Sequence, residues 1–246
     1  LSLRKELRLS LKLFLRRLIN GNWFLFRVKQ ELDIYLTGAF RLDVSKSWSE
    51  YGEDQILADE LREYLNSGYY LDCGANHPTK GSNTFKLYCM GMRGITIEPN
   101  PTLSRLHSKY RPGDIQLTAA AGESNGVAVF YNMATHGLST LSKDYCDQLI
   151  ASGHHLLSQS LIPILTLGTV LGGCVIPGRP ILALLSIDVE SMDESLLRTS
   201  DWLKHRPKLI VFERSGALGL LGDYLNECGY DLIAVRGCNN IMRRRG

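Results

Sequence analysis

The sequence has no cysteine pair at metal-binding spacing. Its six cysteines (Cys73, Cys89, Cys146, Cys174, Cys228 and Cys238) are scattered, with no CxxC, which argues against a zinc site. Several fall inside apolar runs, where a free thiol packs as a small hydrophobe, so a reduced, cytosolic setting is the simple expectation. A convincing membrane span is also missing. The longest uncharged stretch, residues 148–178, contains Pro163, Gly168, Gly172 and Gly173 together with His154 and His155. Such breakers would leave backbone amides unpaired in lipid. There is no low-complexity tract and no internal repeat. A net charge of +3 is too small to argue for a nucleic-acid partner.

What charge there is sits at one end. Between Leu1 and Gln30 there are eight basic residues (Arg4, Lys5, Arg8, Lys12, Arg16, Arg17, Arg27, Lys29) against one acid, Glu6. Leu3, Leu7, Leu11, Phe14 and Leu18 recur at helical spacing among them, so residues 1–48 read as a basic amphipathic helical extension. Gly21-Asn22 ends the helix, and Trp23-Phe24-Leu25-Phe26 follows as an apolar knot. Two fates are open for this helix. It could rest on an anionic membrane surface, such as the inner face of a membrane bounding the cytoplasm. It could equally pack its leucine stripe on the catalytic domain or on a second subunit, the commoner outcome. The chain opens on Leu1 rather than Met, which leaves open where the native start lies.

Residues 49–246 read as one α/β domain, since a chain of 246 residues has little room for two. A helix is expected over 51–65. Strands are expected over 69–72, 94–98, 115–120, 181–188 and 209–213, with helices between several of them, the pattern of a mainly parallel sheet. One helix should open near Ser82 and close at Gly91. Another should have Asn100 as N-cap and Pro101 in its first turn, and a third should start at Ser191 in a capping box with Glu194. Residues 230–235 and 239–243 read as a terminal hairpin around Gly237.

Three strand ends carry the chemistry. In Tyr70-Leu71-Asp72-Cys73-Gly74-Ala75-Asn76-His77-Pro78 an apolar strand delivers Asp72 to its C-terminal edge, and Gly74 lets the chain turn with no Cβ in the way. In Ile95-Thr96-Ile97-Glu98-Pro99-Asn100-Pro101, Glu98 lies 24 residues after Gly74 (98 minus 74), near the usual offset for an acid that grips ribose hydroxyls. The third segment, 114–122, brings Asp114, which could touch adenine or simply be a solvated loop acid. It also brings narrow alanines, including Ala120, against which a flat base could lie. Candidate cofactor contacts are therefore Asp72, Gly74, Asn76, Glu98, Pro99, Asn100, Asp114 and Ala120. Ser82 and Asn83 could bind a methionine moiety or cap a helix. A dinucleotide fold would need GxGxxG after the first strand to hold a pyrophosphate. Here an acid leads and glycines are few, which suits S-adenosylmethionine, a sulfonium cation without phosphate.

The order Tyr51-Gly52-Glu53-Asp54, Leu71-Asp72-Cys73-Gly74-Ala75-Asn76-His77-Pro78, Lys80-Gly81-Ser82-Asn83-Thr84, Gly94-Ile95-Thr96-Ile97-Glu98-Pro99-Asn100-Pro101 and Ser186-Ile187-Asp188-Val189-Glu190 resembles the FkbM methyltransferase family. The resemblance implies a Rossmann-like class I methyltransferase fold with a seven-stranded sheet. It also implies O-methylation of hydroxyls on sugars or natural products. Two positions depart from the family pattern: Ser191 stands where glycine is common, and Gly168 where an acid is common.

On the acceptor side, Asp188 and Glu190 point the same way if the chain stays extended, and Glu213 ends the next apolar strand. The three carboxylates could act through a general base or could together hold Mg²⁺. The plainer alternative is that Glu190 and Glu213 pair with Arg198 and Arg214. His77, in the first loop, is a further catalytic candidate, although a lone loop histidine is more often structural. A non-catalytic cofactor-binding scaffold with the same fold is the alternative to an enzyme.

Overall fold

The computed structural model describes residues 46–189, 192–199, 201–213 and 219–246. The basic helix and apolar knot of the extension lie outside these residues, as do Glu190, Ser191 and Arg214. Among the described residues no helix is long and apolar enough to cross a membrane.

The chain divides into two compact units. The described part of the smaller is Phe130–Ser160, and the larger holds residues 46–129 and Leu161–Gly246. The larger opens with α1 (Glu53–Glu60) and a 3-10 turn (Arg62–Tyr64), shorter than the helix expected over 51–65. There follow β1 (Gly68–Cys73), α2 (Phe85–Cys89), β2 (Arg93–Ile97), α3 (Pro101–Tyr110), β3 (Ile115–Leu117) and β4 (Ala120–Ala121). Strands β5 (Gly126–Met133) and β6 (Leu156–Leu165), with α4 (Lys143–Ala151) between them, were not expected from the sequence and cross the division between the units. Then come α5 (Leu167–Gly173), β7 (Ile181–Ile187), α6 (Asp193–Arg198), β8 (Leu209–Glu213), α7 (Gly219–Glu227), β9 (Tyr230–Arg236) and β10 (Asn239–Arg244).

The main sheet has seven strands in the order β3-β2-β1-β7-β8-β10-β9. The first five are parallel to one another, and β10 runs antiparallel to both β8 and β9, the terminal hairpin. Both faces of the central parallel strands are covered, so β1 buries every residue and β2, β7 and β8 bury all but one each, rather than every second one. Along β1, β7 and β8, Tyr70, Leu184 and Val211 pack with Leu57 and Leu61 of the α1 side. Their neighbours Leu71, Leu185 and Phe212 pack with Trp202 and Leu225 on the other. Each such buried side chain contributes roughly 1.5–3 kcal/mol relative to exposure. In the smaller unit, Met133, Cys146 and Leu149 form a minor core, and the Ser142 hydroxyl caps α4 by accepting from Tyr145 N–H.

Two local expectations are corrected. The strand expected over 115–120 is two strands with different partners: β3 pairs with β2, whereas Ala120 and Ala121 pair with Ile164 and Leu165 of β6. Helix α6 starts at Asp193 behind Met192, which makes no side-chain cap, rather than at Ser191, and the expected capping box involves a residue outside those described. The Asn100 cap is as expected: its side chain accepts from Thr102 N–H at 2.9 Å, with Pro101 in the first turn.

The Tyr51-Gly52-Glu53-Asp54 segment ties residues 47–48 and the terminal hairpin to α1. Both acids are fully buried. Asp54 accepts from Ser47 Oγ and Trp48 N–H, each at 2.7 Å, and Glu53 accepts from Asn239 Nδ2 at 2.7 Å, joining α1 to the terminal hairpin.

Candidate functional site

In this strand order the chain leaves β1 towards β2 and β3 on one side and returns to lay β7 on the other. Ligands of open α/β sheets bind at the C-terminal strand edge where the winding reverses, here between β1 and β7. The two strand ends are pinned together there. Asp188 N–H donates to Cys73 O at 2.9 Å, and a Cβ at position 74 would collide with Asp188 O. Gly74 has φ +75°, a conformation that side chains of L-residues resist. The loop beyond it is held by Gly74 N–H and Ala75 N–H, both donating to Ile97 O at 3.0 Å.

Glu98 is 4% exposed and faces this loop. Its Oε2 accepts from Asn76 N–H at 2.8 Å and its Oε1 from Asn100 N–H at 2.7 Å. Burial pushes its carboxyl up to about 7, against the pull of those two amides. Each carboxylate oxygen can take a second hydrogen bond, so Glu98 keeps capacity for a ligand's hydroxyls. Asn76 sits at φ +45°, and its Oδ1 is buried with no partner among the described residues. An orphaned acceptor, a cradle closed to any Cβ and an acid with unused capacity fit a hydroxyl-bearing, phosphate-free ligand such as S-adenosylmethionine.

Asp72 is 6% exposed and lies on the same face of β1 as Tyr70. Its Oδ2 accepts from Thr84 Oγ1 at 2.5 Å, and burial raises its pKa while Arg111 and the hydroxyls of Thr84 and Ser186 oppose that rise. Ser82 is buried. Its Oγ accepts from Phe85 N–H at 3.1 Å, at the first residue of α2, whose N-cap Thr84 makes no side-chain cap, and Asn83 beside it is half-buried. Pro99 is half-buried and Asn100 buried at the start of α3.

Asp114 is a correction. It precedes β3 and therefore sits at the N-terminal edge of the sheet, away from the β1–β7 opening. It is neither solvated nor placed for adenine there: it is ion-paired with Arg111 at 2.8 Å and accepts from Tyr70 Oη at 2.6 Å and Gly94 N–H at 2.9 Å. Ala120 is buried in its pairing with Ile164. The ring of His77 faces its own loop, with Nδ1 accepting from Thr79 N–H at 3.1 Å and Lys80 N–H at 3.0 Å.

On the acceptor side the structure brings together Asp188 and Glu213, which follow and end adjacent parallel strands paired at Ile187 and Phe212. Asp188 is exposed and Glu213 half-buried. Cys238, from the hairpin turn, has its thiol pushed up to about 11 by burial and by its hydrogen bond to Glu213, so it stays protonated and donates. Glu190 is outside the described residues. Among those described, no three His, Cys, Asp or Glu side chains cluster as metal ligands. The pairing of Glu213 with Arg214 also falls outside them, whereas Arg198 pairs with Glu194 at 2.8 Å.

Sequence reasoning missed several residues. Asp193 is 1% exposed, and burial pushes its carboxyl up to about 6 despite amides of Asp193, Val189 and Glu213 that bond to it, joining the ends of β7 and β8. Asn240, fully buried in β10, has neither amide atom partnered among the described residues. His107, on α3, lies 2.9 Å by Nε2 from Asn76 O. A carbonyl only accepts, so Nε2 carries the proton, and burial lowers the imidazole to about 3, with Arg111 adding to the effect. Gly168, where the family resemblance suggests an acid, has its space taken by Asp201, whose Oδ2 accepts from Gly168 N–H at 2.7 Å.

The sequence profile described as the methyltransferase FkbM domain matches residues 72–232. No curated protein matches the chain. Among solved structures, the chain is similar to a TehB-like SAM-dependent methyltransferase from Corynebacterium glutamicum at 12% identity. That match covers 89% of this chain and 96% of the other, with a TM-score of 0.41. It is also similar to a protein from Klebsiella pneumoniae provisionally described as an O-methyltransferase, at 10% identity, over 89% and 90% of the two chains, with a TM-score of 0.42.

Proposed function

The chain belongs to the FkbM methyltransferase family, and on that premise we propose that it methylates a hydroxyl oxygen on a sugar, glycan or natural-product acceptor, using S-adenosylmethionine. The observation that carries this reading is the pinning of the Gly74 loop against Asp188. One narrow edge thereby holds both the candidate cofactor acids and the candidate base. S-adenosylmethionine, when bound, supplies an electrophilic methyl carbon on a sulfonium sulfur. Glu98 holds the ribose hydroxyls. The Gly74–Asn76 turn takes the ligand against bare backbone, where a side chain would block it.

At the other side of the edge, the Asp188 carboxylate would accept and hold the proton of the acceptor hydroxyl, while bound S-adenosylmethionine would supply the methyl group to that oxygen. Glu213, fixed by the Cys238 thiol, adds negative charge beside Asp188 and orients the acceptor.

The test is Asp188→Asn, which keeps the size and removes the charge. With labelled cofactor and a panel of free sugars and polyols as acceptors, kcat should fall about 100-fold or more, the range typical of lost general-base catalysis. Binding of S-adenosylhomocysteine should stay within a few-fold of wild type. Full turnover in Asp188→Asn would move the base elsewhere.

A further inference from the structure

Arg111 is the largest buried cation of the described chain, with no exposed surface, and it sits over the face of β1 that carries Tyr70 and Asp72. It lies 41 residues from Tyr70 in sequence and 27 from Thr84, so no local pattern announces it. Its Nη2 donates to Tyr70 Oη at 2.7 Å and to Thr84 Oγ1 at 2.9 Å, and its Nε to Asp114 Oδ2 at 2.8 Å.

A hydroxyl has one proton to give. With a guanidinium N–H filling a lone pair on each oxygen, each proton is directed away from Arg111. Tyr70 gives its proton to Asp114 at 2.6 Å, and Thr84 gives its proton to Asp72 at 2.5 Å. One guanidinium thus orders two hydroxyls, and each hydroxyl orders one carboxylate. Asp114 has its cation in direct contact. Asp72 does not; it makes its hydrogen-bonded link to Arg111 through the Thr84 hydroxyl, and it feels the nearby charge of Asp114 as well. Two carboxylates share one cation, and the one nearer the ligand edge has the weaker claim on it.

We propose that Arg111 and Thr84 are positioning residues that fix the Asp72 carboxylate as the counter-charge for the α-ammonium group of S-adenosylmethionine, so that ligand choice at this edge depends on that positive group. The inference rests on the methyltransferase reading and deepens it. Arg111 itself is a poor position to change, since its loss would leave Asp114 and Tyr70 unsatisfied in the core. Thr84→Val keeps the shape and removes only the link, and Thr84→Ser keeps the link.

The experiment is calorimetric binding of two probes to the full chain: S-adenosylhomocysteine, and the same compound with hydrogen in place of its α-amino group. Wild type should bind the amino form at least tenfold more tightly. In Thr84→Val that preference should shrink at least threefold, through weaker binding of the amino form alone, and Thr84→Ser should restore it. Binding of the amino-free probe should be equal in all three proteins, which also reports a folded site. A wild type that binds both probes equally, or a preference that survives in Thr84→Val, overturns the inference and leaves the methyltransferase reading standing. Should Thr84→Val fail to fold, Thr84→Ala removes the same hydroxyl and takes its place: the preference should shrink likewise, and a preference that survives in Thr84→Ala overturns the inference. Absence of binding of either probe to wild type overturns the parent reading and this inference together.

Discussion

Cofactor affinity should depend on pH through Glu98. An ordinary glutamate is ionised well below neutrality, but here burial holds the carboxyl up to about 7. The sign follows from the ligand. Ribose hydroxyls donate, which favours the carboxylate, so binding to the protonated form must first expel a proton. If the bound carboxyl titrates well below 6, the apparent Kd scales as one plus the ratio of protonated to ionised Glu98. That factor is about 1.1 at pH 8, 2 at pH 7 and 11 at pH 6, so affinity falls about tenfold between pH 8 and pH 6, or about 1.4 kcal/mol. Titration calorimetry with S-adenosylhomocysteine in buffers of different ionisation enthalpy reads both parts: the Kd trend and the proton released, about half a proton per site at pH 7. Glu98→Gln should bind about 10–100-fold more weakly at pH 8, since charge-assisted hydrogen bonds are worth roughly 1.5–3 kcal/mol. It should also lose most of the pH dependence. A flat wild-type Kd between pH 6 and 8, or a Gln variant with the same slope, would refute the reasoning.

Gly74→Ala places a Cβ on Asp188 O at a positive φ. The conformation alone costs about 1–2 kcal/mol, so melting should drop by several degrees and S-adenosylhomocysteine binding should be lost; wild-type calorimetry and melting would contradict the pinned-edge account. Asn240→Leu replaces two unpartnered buried polar atoms with an apolar group of similar size. It should stabilise by about 1–3 kcal/mol, worth roughly 2–4 °C per kcal/mol for a chain of this size, and a lower melting temperature would show that Asn240 has a partner in solution. His107 titrates near 3 instead of 6.5, so the unfolded chain binds the extra proton and the contribution of His107 to stability is lost as pH falls from 6.5 towards 3. Denaturant unfolding of wild type should therefore lose stability relative to His107→Gln by about 1.4 kcal/mol per pH unit between pH 6 and 4, and a constant difference would contradict a neutral, buried imidazole.

The parallel sheet was legible because strand ends announce themselves. Asp72-Cys73-Gly74 and Glu98-Pro99-Asn100 combine an apolar run with an acid and a turn former, and Asn100-Pro101 is a complete helix start within two residues. The terminal hairpin was legible for the same reason, since Gly237 interrupts two alternating runs. The polar interior was not. Asp114 reads locally as a loop acid because its partner Tyr70 lies 44 residues away, and only the parallel register of β1, β2 and β3 brings the two together. Glu53 is similar: it looks like a solvated first-turn carboxylate until the hairpin supplies Asn239. Asp193 was hidden by the expectation of a helix start two residues earlier. The alanine run misled for a different reason. Its residues suit a strand, but composition says nothing about which sheet takes them, and β6 was not visible in a segment interrupted by Pro163.

A crystal structure of the chain with S-adenosylhomocysteine tests the central claim most directly. The account predicts the ligand at the C-terminal edge between β1 and β7, its ribose hydroxyls within hydrogen-bonding distance of Glu98 and its sulfur open towards Asp188 and Glu213. Ligand bound at another edge of the sheet, or with its ribose away from Glu98, would contradict it.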